Sequence, residues 1–153
     1  MNQSKIRECF NRSLTTYDNH CDIQTQTGIK LIKDLKDLNL RPNSIVDLGC
    51  GTGITTEHLA SLYENYYKFY AIDIADKLLL KAKDRLEKYN IITLEKSLED
   101  FLGNEKILFD LVFSNMVLQW SNNLDDVLKK IYQKLNLGGG GVSFFYAFIW
   151  YFF

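Results

Sequence analysis

The run Ser44-Ile45-Val46-Asp47-Leu48-Gly49-Cys50-Gly51-Thr52-Gly53 restricts this chain more than any other segment. A short, mostly apolar stretch of the kind used for buried parallel strands leads directly into three glycines at alternate positions, and a helical pattern follows through about Tyr63. Pro42 and Asn43 separate this strand from an amphipathic helix over 21–40, where Gly28, Leu31, Ile32, Leu35 and Leu38 recur three or four residues apart. Strand, glycine turn and helix in this order open an α/β unit whose backbone turns sharply and lets another group come close.

The alternation continues. A strand is predicted over Lys68–Asp73, then a helix over Asp76–Lys88 that uses Leu78, Leu79, Ala82 and Leu86. Strands follow at 91–94 and 108–114, then a helix at 124–136, and Val142–Phe148 reads as a fifth buried strand. Strands and helices spaced in this way call for a mostly parallel sheet with helices on both faces. At 153 residues and 46% apolar content, one domain with its own core is expected. Within it, 1–42 forms an N-terminal helical cap, 43–141 a ligand-binding core, and 142–153 an aromatic tail. That tail, VSFFYAFIWYFF, is shorter than the about 20 residues of a membrane-spanning helix, so no membrane association is expected.

Charge and cysteine usage narrow the classes. A net charge of −1 gives no basic footprint for a phosphate backbone, so nucleic acid is not an expected partner. The polar start MNQSKIRECFNRS carries no apolar secretory stretch, which points to the cytoplasm. Cys9, Cys21 and Cys50 are odd in number and far apart, as for reduced thiols, and with His20 and His58 they show no metal-ligand spacing. No metal is expected.

The chemistry is read from the glycine turn. A dinucleotide site asks for G-x-G-x-x-G, and its last glycine would fall on Ile54; the spacing here is G-x-G-x-G. A carboxylate at Asp47 would repel a pyrophosphate and attract the ammonium and sulfonium of S-adenosylmethionine. Asp73 ends the second strand twenty residues after Gly53, where a doubly wound fold places an acid that accepts hydrogen bonds from ribose hydroxyls. The competing readings are a merely tight turn for the glycines and a helix cap or surface charge for Asp73.

VDLGCGTG, the acid in YAIDIA and FDLVFSN at the fourth strand together resemble the motifs of class I S-adenosylmethionine-dependent methyltransferases, a Rossmann-like α/β fold, over about 10–141. The resemblance implies that Gly49, Cys50, Gly51 and Gly53 line the methionine half of the cofactor and that Asp47 holds its amino group, partly through water. It also implies that Asp73 binds the ribose and Ile74 packs on the adenine, with Asn115 near the amino-acid part and the substrate mouth. The family's acid for the adenine amino group falls on Ser97, a weaker acceptor, with Leu98 adding backbone and apolar contact. The family's strand order is 3-2-1-4-5-7-6, so the order expected here is 3-2-1-4-5 with the last two strands missing. The Leu137–Gly141 loop lacks the family's proline, and with the aromatic tail it reads as a truncated or frame-shifted end.

A narrower resemblance, to the malonyl-acyl-carrier-protein O-methyltransferases of biotin synthesis, rests on Phe10-Asn11-Arg12, Tyr17-Asp18-Asn19-His20, Gln24 and Ser114–Trp120. It implies methylation of a malonyl carboxylate on acyl carrier protein, with Tyr17, Gln119 and Trp120 as candidate substrate contacts. For Tyr17 and Trp120, aromatic packing of an N-terminal helix over the sheet is an equal reading. No residue is assigned as catalytic, because an ionised carboxylate needs no general base. Two alternatives stay open: another small-molecule methyltransferase on this fold, or a non-catalytic remnant.

Overall fold

A computed structural model describes residues 3–12, 22–104, 106–136 and 144–147. The chain order is α1 (Gln3–Arg12), α2 (Asp22–Asp37), β1 (Ser44–Leu48), α3 (Ile54–Leu62), β2 (Lys68–Asp73), α4 (Asp76–Leu86) and β3 (Ile92–Glu95). It continues with α5 (Leu98–Asn104), β4 (Leu111–Ser114), a 3-10 turn (Leu118–Trp120), α6 (Leu124–Gln133) and β5 (Phe144–Ala147).

The five strands form one parallel sheet in the order β3-β2-β1-β4-β5. β1 lies at its centre, with Val46 opposite Tyr70 of β2 on one side and Val112 of β4 on the other. The order reverses at β1, with β2 on one side and β4 on the other. Doubly wound sheets bind ligands beyond the carboxyl ends of the strands at such a switch point.

Alternation along the strands divides the core between the two faces. Val46, Leu48, Ile72 and Val112 pack with Leu98, Phe101 and Leu102 of α5 and Val127 and Ile131 of α6. On the opposite face, Ile45, Phe69, Leu111 and Phe113 pack against Leu31, Ile32 and Leu35 of α2 and Leu59 and Ala60 of α3. Ala71 meets Leu79, Ala82 and Leu86 of α4 in a smaller cluster. Among the described residues, no helix is long and apolar enough to cross a membrane.

Two elements differ from the sequence reading. α5 was not anticipated, although Ser97 supplies a helix cap: its hydroxyl donates to Asp100 Oδ2 at 2.8 Å and accepts from the Asp100 N–H at 3.1 Å. β4 begins at Leu111 rather than Leu108, because Phe109 is bridged to Leu135, exchanging main-chain bonds with Lys134 and Asn136. The fifth strand pairs with β4 in parallel over Phe144–Ala147. The Leu137–Gly141 loop and the tail beyond Ala147 lie outside the described residues, as does Tyr17.

Candidate functional site

The glycine turn is held from below. The N–H groups of Gly49 and Cys50 both donate to the carbonyl of Ile72 at 2.9 Å, and the Gly53 N–H donates to the Cys50 carbonyl at 2.9 Å. Gly49, Gly51 and Gly53 have φ of 78°, 57° and 80°, the left-handed region that side chains avoid. At Gly49 space is short as well: a Cβ there would lie 2.5 Å from the Val117 side chain. The loop after β4 therefore presses on the turn after β1.

Asp73, at the end of β2, binds the same turn. Its Oδ2 accepts the Gly51 N–H at 2.8 Å and its Oδ1 accepts the Ala75 N–H at 2.8 Å. A carboxylate has about four acceptor positions, so these bonds, with the Ile74 N–H beside them, leave room for a further donor. The residue is 9% exposed. Burial raises its pKa, with the N–H groups of Ala75, Gly51 and Ile74 pulling the other way.

These residues border an open cleft at the carboxyl ends of the strands. Of the candidate residues named from the sequence, Gly49, Cys50, Asp73, Ile74, Ser97, Leu98, Asn115, Gln119 and Trp120 line it. Asp47, Gly51 and Gly53 are not among its walls. For Asp47 the cause is strand parity. It shares a face of β1 with Ile45, toward α3, and its Oδ2 accepts the Thr56 hydroxyl at 2.6 Å with the residue 1% exposed. Burial raises its pKa to about 7, aided by the nearby Asp73 charge and opposed by the Thr56 bond. Burial, with the Asp73 and Asp47 charges, also pushes the Cys50 thiol well above its ordinary value.

The sequence reading did not assign the roof of the cleft to particular residues. Gln3, Ile6 and Phe10 of α1 line it. That helix is tied across the sheet edge by Arg7 to Glu95 and Asp76, by Asn11 to Asp76 at 2.8 Å, and by Gln3 to Glu99 at 3.3 Å. Trp120 packs edge-on against Phe10, ring centroids 5.6 Å apart, at the wall of the cleft. On the opposite side α2 contributes Gln24 and Thr25. Asn115 Nδ2 donates to the Gln24 main-chain carbonyl at 2.8 Å, while Asn115 Oδ1 and Gln24 Oε1 are buried with no hydrogen-bond partner among the described residues. Met116 next to them has φ of 57°, a strained value for a residue with a side chain.

The cleft thus offers an apolar pair, Ile74 and Leu98, and a buried acid with acceptor capacity to spare. That set suits a nucleoside. Residues 46–142 match the family model described as a methyltransferase domain. The chain belongs to the methyltransferase-domain family. Similar curated members of the family include malonyl-[acyl-carrier protein] O-methyltransferase 2 of Coxiella burnetii, 35% identical over 139 residues, covering 90% of this chain and 54% of the relative. The malonyl-[acyl-carrier protein] O-methyltransferase of Bacillus cereus is 30% identical over 141 residues, covering 91% of this chain and 51% of the relative. The chain spans about half the length of these methyltransferases.

Solved methyltransferases share the fold. The N-methyltransferase NodS of Bradyrhizobium japonicum, in complex with S-adenosylhomocysteine, matches with a TM-score of 0.70 at 20% identity, covering 86% of this chain and 68% of that one. Magnesium protoporphyrin IX methyltransferase of Synechocystis, also with S-adenosylhomocysteine, matches with a TM-score of 0.69 at 16% identity, covering 88% and 68%. The architecture here is accordingly the Rossmann-like class I methyltransferase sheet.

Proposed function

We propose that the chain provides the cofactor-binding domain of an S-adenosylmethionine-dependent O-methyltransferase whose acceptor is the free carboxylate of a malonyl group on acyl carrier protein, a cytoplasmic step of biotin synthesis. The observation that carries the cofactor assignment is Asp73: a buried carboxylate at the wall of the cleft beside the glycine turn, anchored by the N–H groups of Gly51 and Ala75. The acceptor assignment is supported by the activity named for the relatives in Coxiella burnetii and Bacillus cereus.

In this reading Asp73 takes the ribose hydroxyls, and Ile74 and Leu98 pack on the adenine. Ser97 is engaged as the cap of α5, which leaves its hydroxyl one acceptor position and no donor for the adenine amino group. Gly49 and Cys50 border the methionine half through backbone, and Gly51 and Gly53 shape the turn from behind. Trp120, Gln119 and Phe10 close the acceptor side and exclude water. The cofactor supplies a methyl group made electrophilic by its sulfonium.

The protein's task is then alignment, since a carboxylate with an ordinary pKa of about 4 is already ionised at neutral pH. Among the described residues the wall of the cleft includes no histidine, and its cysteine, Cys50, holds its proton. Neither fact hinders a carboxylate acceptor. Lys129, Lys130 and Lys134 carry no part of the carrier-protein proposal, because Lys130 pairs with Asp126 of its own helix at 2.8 Å and the set reads as a solvated face.

Methyl transfer from labelled S-adenosylmethionine to malonyl acyl carrier protein, with free malonate and other dicarboxylates alongside, tests this function. Labelling of the carrier-bound malonyl group is expected. Labelling of a free dicarboxylate alone would move the assignment to another small-molecule methyltransferase.

A further inference from the structure

Three left-handed glycines within residues 49–53 make the turn after β1 costly to hold in one shape, since glycine gives up more backbone freedom on folding than any other residue. The Ile72 carbonyl and Asp73 fix the N–H groups of its first half, at Gly49, Cys50 and Gly51. The second half is held from α4. The Arg85 Nε–H donates to the Thr52 carbonyl at 3.0 Å, and the N–H of the same peptide group, on Gly53, donates to the Cys50 carbonyl at 2.9 Å. Carbonyl and N–H point in opposite directions in a trans peptide, so this plane cannot rotate without losing both bonds.

Close packing puts Arg85 within reach. A Cβ on Gly53 would lie 3.2 Å from the Cα and Cβ of Ala82, so turn and helix meet through two residues with almost no side chain. Ala82 is fully buried there, and Arg85 follows it by three positions, on the same face of α4. The guanidinium also faces Glu57 of α3, Nη1 to Oε2 at 3.9 Å, but that carboxylate pairs more closely with Lys88 at 3.0 Å. Ion pairs as exposed as these contribute little, and the charge-assisted bond to the peptide is the stronger contact.

Arg85 is not among the walls of the cleft, whereas Thr52 is, and Thr52 is buried. The bond therefore joins a cation behind the turn to the wall in front. We propose that Arg85 is a positioning residue for cofactor binding, which holds the Thr52–Gly53 peptide from behind in the orientation that the nucleoside ligand requires. This rests on the nucleoside reading above and adds to it a residue that touches no ligand. Without Arg85 the turn samples other peptide orientations, and apparent affinity falls by the fraction of molecules left competent.

The test has two arms, because linkage is reciprocal: if the Arg85 bond favours the turn that binds ligand, bound ligand favours the bond by the same factor. In calorimetric titration, Arg85→Met should bind S-adenosylhomocysteine at least about fivefold more weakly than the unsubstituted chain while keeping a cooperative thermal transition. Glu57→Gln, which removes the ion pairs and leaves the Thr52 bond, should stay within about twofold. In the unsubstituted chain, saturation with S-adenosylhomocysteine should slow exchange of the Arg85 Nε–H with water at least about fivefold by NMR, with the exposed Arg41 unchanged. Undiminished affinity in Arg85→Met overturns the proposal. An equal loss in Glu57→Gln, which would mark ion pairing between the helices as the cause, also overturns it, as does an Arg85 Nε–H whose exchange ignores the ligand. If Arg85→Met shows no cooperative transition, the exchange measurement decides by itself. A folded, unsubstituted chain that binds no S-adenosylhomocysteine defeats the nucleoside reading and this proposal together; binding that survives Arg85→Met defeats the proposal alone.

Discussion

Asp73 accepts the backbone N–H of Gly51 at 2.8 Å, so the acid that ends the second strand also fixes the glycine turn that follows the first. One carboxylate thereby shapes the cleft and faces it. Asp73→Ala should lose the ligand contact and loosen the turn together, weakening S-adenosylhomocysteine at least about tenfold, in line with about 1.5–3 kcal/mol for a hydrogen bond to a charged group. Titration calorimetry reads this directly. Gly51→Val should be harmful for a different reason: φ of 57° is unfavourable to a β-branched residue, and a lowered melting temperature should accompany the loss of binding.

The buried Asp47 predicts a pH effect on stability. Its pKa is about 7 in the fold and near 3.8 when unfolded, so between those values the folded state binds more protons. Its contribution to stability is present in full below about pH 4 and is lost as pH rises through about 7. Asp73 is shifted in the same direction. Asp47→Asn keeps an acceptor for Thr56 without a charge to bury. In thermal melts its stability relative to the unsubstituted chain should improve from pH 5 to pH 8; a constant difference across that range would contradict the buried-charge account.

Cys50 is expected to contribute backbone and not sulfur chemistry. It is 5% exposed and its thiol is held protonated by burial and two neighbouring acids. Cys50→Ala should keep S-adenosylhomocysteine affinity within a few-fold. In the folded protein, alkylation at pH 8 should modify the exposed Cys9 and spare Cys50 until denaturant is added, as peptide mapping would show.

Ser97 separates capping from ligand contact. Both hydrogen bonds of its hydroxyl run to Asp100, so Ser97→Ala should cost about 1 kcal/mol of stability through the lost cap. Affinity for adenine-containing ligands should change by less than about threefold, well under the tenfold that 1.4 kcal/mol represents. A large affinity loss with an unchanged melting curve would restore Ser97 to the adenine contact implied by its place in the motif.

The limits of sequence reading here have physical causes. β1 and β2 were legible to the residue because Pro42 and the glycine turn bracket one and Asp73 ends the other. α5 is only two turns long, too short for a helical period to stand out, and its signal was the Ser97-x-x-Asp100 cap. The face taken by Asp47 follows from its parity with Ile45, two residues earlier on the same strand. Gln24 and the α1 residues reach the cleft only through tertiary packing, which no local pattern encodes.

The central claim is that the cleft above β1, β2 and β4 binds an adenosyl amino acid and not a dinucleotide. Calorimetric titration of the chain with S-adenosylhomocysteine and, separately, NADH tests it most directly. Saturable binding of S-adenosylhomocysteine that Asp73→Ala weakens at least about tenfold, with no heat from NADH, is the predicted result. Binding of NADH, or of neither ligand by a folded chain, would contradict it.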